Sequence, residues 1–113
     1  MNIQEELLPN GVVKIHLSGR MDIAGVGEIE TRFAGMTASP RMAIIVDMSQ
    51  VPFMSSIGIR ALLINAKAVS KRGGKLVLLS PEANVEKVLV TSGIDQIIPI
   101  CHSQEEAVGK VTA

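Results

Sequence analysis

Residues 12–18, VVKIHLS, alternate along the chain. Val13, Ile15 and Leu17 fall on one side, and Lys14, His16 and Ser18 on the other. A period of two with one wet face predicts a strand at a sheet edge or in an antiparallel pair. Asn10-Gly11 just before it is a hairpin-turn dipeptide, so a short strand over residues 3–8 is expected to pair with it. Beyond Gly19 the period changes. Val26, Ile29, Phe33 and Met36 recur at spacings of three, four and three, one face of a helix over 24–36. Asp22 stands where an N-cap belongs, while Gly25 and Gly27 weaken the first turn.

The run MAIIVDM, residues 42–48, is nearly all apolar and rich in branched side chains, the pattern of a strand buried on both faces. A loop, Ser49-Gln50-Val51-Pro52, leads to a helix from Ile57 whose apolar face carries Ile59, Leu62, Leu63, Ala66 and Val69. Arg72-Gly73-Gly74 ends it with a basic last turn and a glycine for the left-handed cap. KLVLL, residues 75–79, is a second buried strand, which completes a βαβ unit. Pro81 suits the first position of the next helix, with Val85, Val88 and Leu89 inward and Gly93 as its stop. A strand over Ile97–Ile100 and a helix over 103–111, begun by Ser103, finish the chain. The predicted fold class is α/β: one domain over 1–113, a mixed sheet of four to five strands, antiparallel first and parallel afterwards, with about four helices.

The chain has 113 residues and 12.0 kDa, enough for one core without a metal or disulfide staple. Eleven basic and eleven acidic side chains cancel, and Phe33 and Phe53 are the only aromatics. Neither the charge nor the stacking surface suits a nucleic-acid partner. Cys101, the single cysteine, excludes an internal disulfide and reads as a small buried hydrophobe. The acidic N-terminus is unlike a signal peptide, and no apolar run approaches the ~20 residues that span a bilayer. A cytoplasmic protein without membrane insertion is expected. The six methionines are read chiefly as core fillers, Met54 included.

The chemistry concentrates in residues 53–60, FMSSIGIR. Ser55 and Ser56 follow a strand and loop and open a helix. Three readings stand open. Either serine can cap the helix, an ordinary use of serine. A catalytic serine would ask for G-x-S-x-G and a base, whereas Met54 holds the first glycine's place and the only histidines, His16 and His102, lie elsewhere. A phosphoacceptor fits because a helix start tolerates an anion, and a phosphate there would change the surface around Met54, Ile57, Arg60 and Ile64 without unfolding the domain. No phosphate-binding G-x-x-x-x-G-K-[ST] loop is present; Gly25-Val26-Gly27 and Gly73-Gly74 are turns or caps.

The ordered set Gly19-Arg20-Met21-Asp22 with Ala24, Ile45-Val46-Asp47-Met48-Ser49 with Val51, and Phe53-Met54-Ser55-Ser56-Ile57-Gly58-Ile59 resembles the STAS domain family. So do Ala61-Leu62-Leu63, Arg72 to Leu79 and Ser92-Gly93-Ile94, and the likeness runs over about residues 10–100. That family includes bacterial anti-sigma-factor antagonists and the cytoplasmic ends of sulfate transporters. The resemblance implies a non-enzymatic, cofactor-free and metal-free regulator of transcription. Such a regulator binds an anti-sigma factor, often a serine kinase, is released by phosphorylation, and is restored by a phosphatase. In the familiar D-S-[ST]-G-[LIV] pattern the modified serine stands two before the glycine, which implies Ser56 here. Ser55 takes the usual aspartate's place and Ile57 that of the second hydroxyl. The implied partner surface comprises Asp22, Met54, Ser55, Ser56, Ile57, Gly58 and Arg60. The substituted aspartate also leaves open a non-switching STAS subunit of a membrane transport or lipid-trafficking complex.

Overall fold

The structure is a computed structural model that describes all 113 residues. Strands β1 (Asn2–Leu7) and β2 (Val12–Ser18) pair antiparallel, with Ile3 opposite Leu17 and Leu7 opposite Val13. The connection is one 3-10 turn, Pro9–Gly11, in which Asn10 and Gly11 both take positive φ (64° and 74°), the conformation that recommends Asn-Gly for such bends. Helix α1 (Ile23–Met36) then leads to β3 (Ala43–Gln50), α2 (Ser56–Lys71), β4 (Lys75–Leu79), α3 (Ala83–Thr91), β5 (Ile100–Cys101) and α4 (Gln104–Thr112). The sheet order is β1-β2-β3-β4-β5, and every pair after the first is parallel.

Strand alternation sends two sets of side chains to the two faces. Val13, Ile15, Leu17, Ile44, Val46, Met48, Leu76 and Leu78 meet Val26, Ile29 and Phe33 of α1, Leu62 and Val69 of α2, and Val85 and Leu89 of α3. The opposite face carries a smaller core, in which Val12, Ile45, Val77, Leu79 and Cys101 are covered by Ala107 and Val111 of α4. The apolar run of β3 is thus explained: Ile44 and Val46 serve one core and Ile45 the other. Burial pushes the Cys101 thiol up, away from reactivity.

Four sequence expectations shift. The face of α2 is wider than its aliphatic residues suggested: Gly58, Ala61 and Asn65 are buried beside Leu62 and Val69, while Ile59, Leu63 and Ala66 are half-buried against the same core. Asn65 is tolerated because both polar atoms of its amide have a partner: it accepts from the Thr37 hydroxyl at 2.7 Å and donates to the Ala61 carbonyl at 2.8 Å. Helix α3 starts at Ala83 with Glu82 as its cap residue; Pro81 is buried in the preceding turn and does not open the helix. Val88 is exposed, since three residues from Val85 it falls at the edge of the stripe. The last strand is Ile100–Cys101, because residues 94–96 form a 3-10 turn that buries Ile94 and leaves Ile97 outside. Arg72 closes α2 by donating to the carbonyls of Ala68, Arg41 and Thr37, a tie between two helix ends.

Candidate functional site

Parallel neighbours that each feed a helix bring two helix starts to one edge of the sheet. Past the ends of β2 and β3 the two chains continue side by side. Gly19 N–H donates to Gln50, Met21 N–H to Phe53 at 2.9 Å, and Ser55 N–H back to Met21 at 3.1 Å. This ladder sets Asp22, the cap of α1, next to Ser55, the cap residue of α2.

Asp22 behaves as its sequence position predicts. Its Oδ1 accepts from Gly25 N–H at 2.8 Å, and Arg20 Nε lies 3.5 Å from Oδ2. The Gly25 amide, with Arg20 beside it, holds the carboxyl below its ordinary value. The Arg20 guanidinium also sits over the Phe53 ring, 4.1 Å from its centroid. Gly25, which weakens the helix on propensity, is required by space: a Cβ there would stand 2.0 Å from the Arg20 carbonyl oxygen.

The two serines differ. Ser55 is half-buried, and its hydroxyl donates to the Met21 carbonyl at 2.7 Å. It occupies the cap position without capping the helix by its side chain. Ser56 is the first residue of α2 and is exposed. Its hydroxyl therefore lies in water at the electropositive end of a 16-residue helix. Ile23, Ser55, Ser56, Ile57 and Arg60 line one open hollow there. Ile23 is 77% exposed, which makes it the largest apolar step on this edge.

Met54 and Gly58 are placed differently from the expected surface. Met54 is buried and forms a bridge with Met21, and Gly58 is buried against both. They lie beneath the hollow and are not exposed at the surface, because the ladder turns the Met54 side chain into the core. Asp22, Ser55, Ser56, Ile57 and Arg60 are brought together at the surface. Sequence reading missed the Ser55–Met21 bond, whose partners are 34 residues apart, and the Arg20–Phe53 stack.

A serine hydrolase is not assembled here. His16 contacts Glu6 at 2.9 Å and Asp47 at 3.5 Å on the sheet. His102 contacts Glu86 at 2.9 Å between α3 and the start of α4. Neither lines the hollow with Ser56. No helix is long and apolar enough to cross a membrane.

The same architecture recurs in known proteins. The Bordetella bronchiseptica protein BtrV, named as an anti-sigma factor antagonist, is 28% identical over 98 residues, 87% of this chain and 84% of its own. The structure of the anti-sigma factor antagonist SpoIIAA in its unphosphorylated form matches with a TM-score of 0.79 and 26% identity, over 98% of this chain and 96% of that one. The phosphorylated form of SpoIIAA, a Bacillus cell-fate determinant, matches with a TM-score of 0.71 and 25% identity, over 97% and 99%. The STAS domain pattern itself is matched over residues 7–107. With a mixed five-stranded sheet, four helices and the serine-bearing helix start in place, this chain belongs to the STAS domain family.

Proposed function

We propose that the chain is a phosphorylation-switched anti-sigma factor antagonist, a bacterial regulatory protein that works by binding. Unmodified, it docks an anti-sigma factor through Asp22, Ile23, Ser55, Ser56, Ile57 and Arg60, and the sigma factor is released. A serine kinase, the anti-sigma factor itself in the simplest arrangement, places a phosphate on Ser56 and ends the docking. A phosphatase removes it.

The observation that carries this reading is the division of labour between the serines. Ser55 is tied to the Met21 carbonyl, so the hydroxyl open to a kinase is that of Ser56. A phosphate there adds about −1.5 to −2 charges and three acceptor oxygens. It meets the positive end of α2, so the fold tolerates it. A partner seated on Ile23 and Ile57 meets new charge and bulk. A few kcal/mol of lost contact and repulsion is enough to dissociate a micromolar to nanomolar complex. The SpoIIAA likeness in both phosphorylation states supports the same reading.

Intact-mass measurement of the protein from its native host, followed by site mapping, tests it. A phosphate on Ser56 that disappears in Ser56→Ala is expected. Phosphate on another residue, or equal labelling of Ser56→Ala, would overturn the assignment.

A further inference from the structure

Arg60 stands four residues after Ser56 on α2 and lines the same hollow. It is exposed. The neighbouring cation, Arg20, is engaged by Asp22 and the Phe53 ring. Arg60 takes part in none of the molecule's ion pairs, which use Met1, Lys14, His16, Arg20, Arg41 and His102 as their cations. An unpaired guanidinium one turn from the candidate phosphoacceptor is a specific arrangement. Residues four apart on a helix are neighbours, with Cβ atoms about 5–6 Å from each other. The favourable order for such a pair places the anion on the N-terminal side and the cation one turn later. Guanidinium also matches a phosphate with two parallel N–H···O bonds.

We propose that Arg60 is the intramolecular clamp for a phosphate on Ser56. The inference rests on the reading of Ser56 as the modified hydroxyl and adds what the modified state does. The phosphate folds along α2 onto Arg60 and covers Ile57. One modification then makes two changes to the docking surface: an anion appears, and the free cation that an acidic partner side chain would use is withdrawn. Phosphorylation at this site thus removes an attraction as well as adding a repulsion.

The test uses the full chain with phosphoserine installed at position 56 during translation, so no kinase is needed. Phosphorus NMR follows the second ionisation of the phosphate in the parent chain and in Arg60→Ala, Arg60→Lys and Lys67→Ala. Lys67 carries the same charge on the same helix, eleven residues from Ser56. At a rise of 1.5 Å per residue that is about 16 Å away, beyond the ~10 Å screening length at 0.1 M salt. A clamp keeps the parent phosphate more acidic than that of Arg60→Ala by at least ~0.3 pH unit at 0.1 M salt. Arg60→Lys is expected to fall between them, and Lys67→Ala to titrate as the parent. Identical titration of the parent and Arg60→Ala would overturn the clamp, as would an equal shift in Lys67→Ala. Either result leaves the identity of the kinase target untouched, whereas failure to find phosphate on Ser56 in cells removes the premise and not the geometry.

Discussion

Two adjacent hydroxyls with different partners are expected to answer differently to the same substitution. Ser55→Ala deletes a hydrogen bond of 2.7 Å to the Met21 carbonyl at a half-buried site. The expected loss of stability is about 1 kcal/mol, seen as a lower urea midpoint at unchanged slope. Ser56→Ala removes a hydroxyl in water, and its midpoint should stay within about 0.5 kcal/mol of the parent. Equal losses would mean that the two side chains share one environment. The family resemblance implied Ser56, which stands two before Gly58; the residues alone left both serines open. Local pattern could not show that Ser55 is bonded to the Met21 carbonyl, since the two come together only when the strands that carry them are paired. Met54 illustrates the same limit. Its residue type read as core and the family resemblance as contact surface, and its burial beside Met21 is that of a core residue.

At the scale of the helix, Gly58 decides how closely α2 approaches the loop before α1. A Cβ there would lie 2.7 Å from Met54 Sδ and 2.9 Å from Met21 Cβ. Alanine is favoured over glycine in a helix by about 1 kcal/mol. Overpacking a tight contact costs about 1–3 kcal/mol. The balance favours destabilisation by Gly58→Ala of about 1 kcal/mol, measured by urea unfolding. A stabilised variant would contradict the packing described here. Elements with a strong period or a plain stop were legible: β2, α1, α2, the Gly93 stop of α3, and Ser103, which accepts from Glu106 N–H as the cap of α4. The misplaced details depend on neighbours that local pattern does not encode. Asn65 is buried because Thr37, 28 residues away, gives it a partner. Strand β5 is fixed by pairing of Ile100 and Cys101 with Leu78 and Leu79, not by the apolar run that begins at Ile97.

Across the whole molecule, two titrating contacts at the surface each add a modest pH dependence to stability. Asp22 has a depressed value through the Gly25 amide and Arg20. Its contribution is present above the ordinary carboxylate value and is lost as pH falls through the lower folded value. His102 is raised by its bond to Glu86, with Glu106 adding a smaller effect. Its contribution is complete below the ordinary histidine value of about 6.5 and is lost as pH rises through the higher folded value. Thermal midpoints should therefore decline on the alkaline side of about pH 6.5 more in the parent than in Glu86→Gln, where the pair is broken. Parallel profiles would show that the Glu86 contact does not tie α3 to the start of α4.

In the proposed switch, docking is governed by the phosphorylation state of Ser56, at the edge where the two helix starts meet. Its most direct measurement is the affinity of the host's anti-sigma factor for the unmodified chain and for the chain carrying phosphoserine at position 56, by calorimetry at one salt concentration. The expected result is a loss of at least ~100-fold on phosphorylation, about 2.8 kcal/mol, with the thermal midpoint of the free protein little changed. Equal affinity of the two forms would contradict the account.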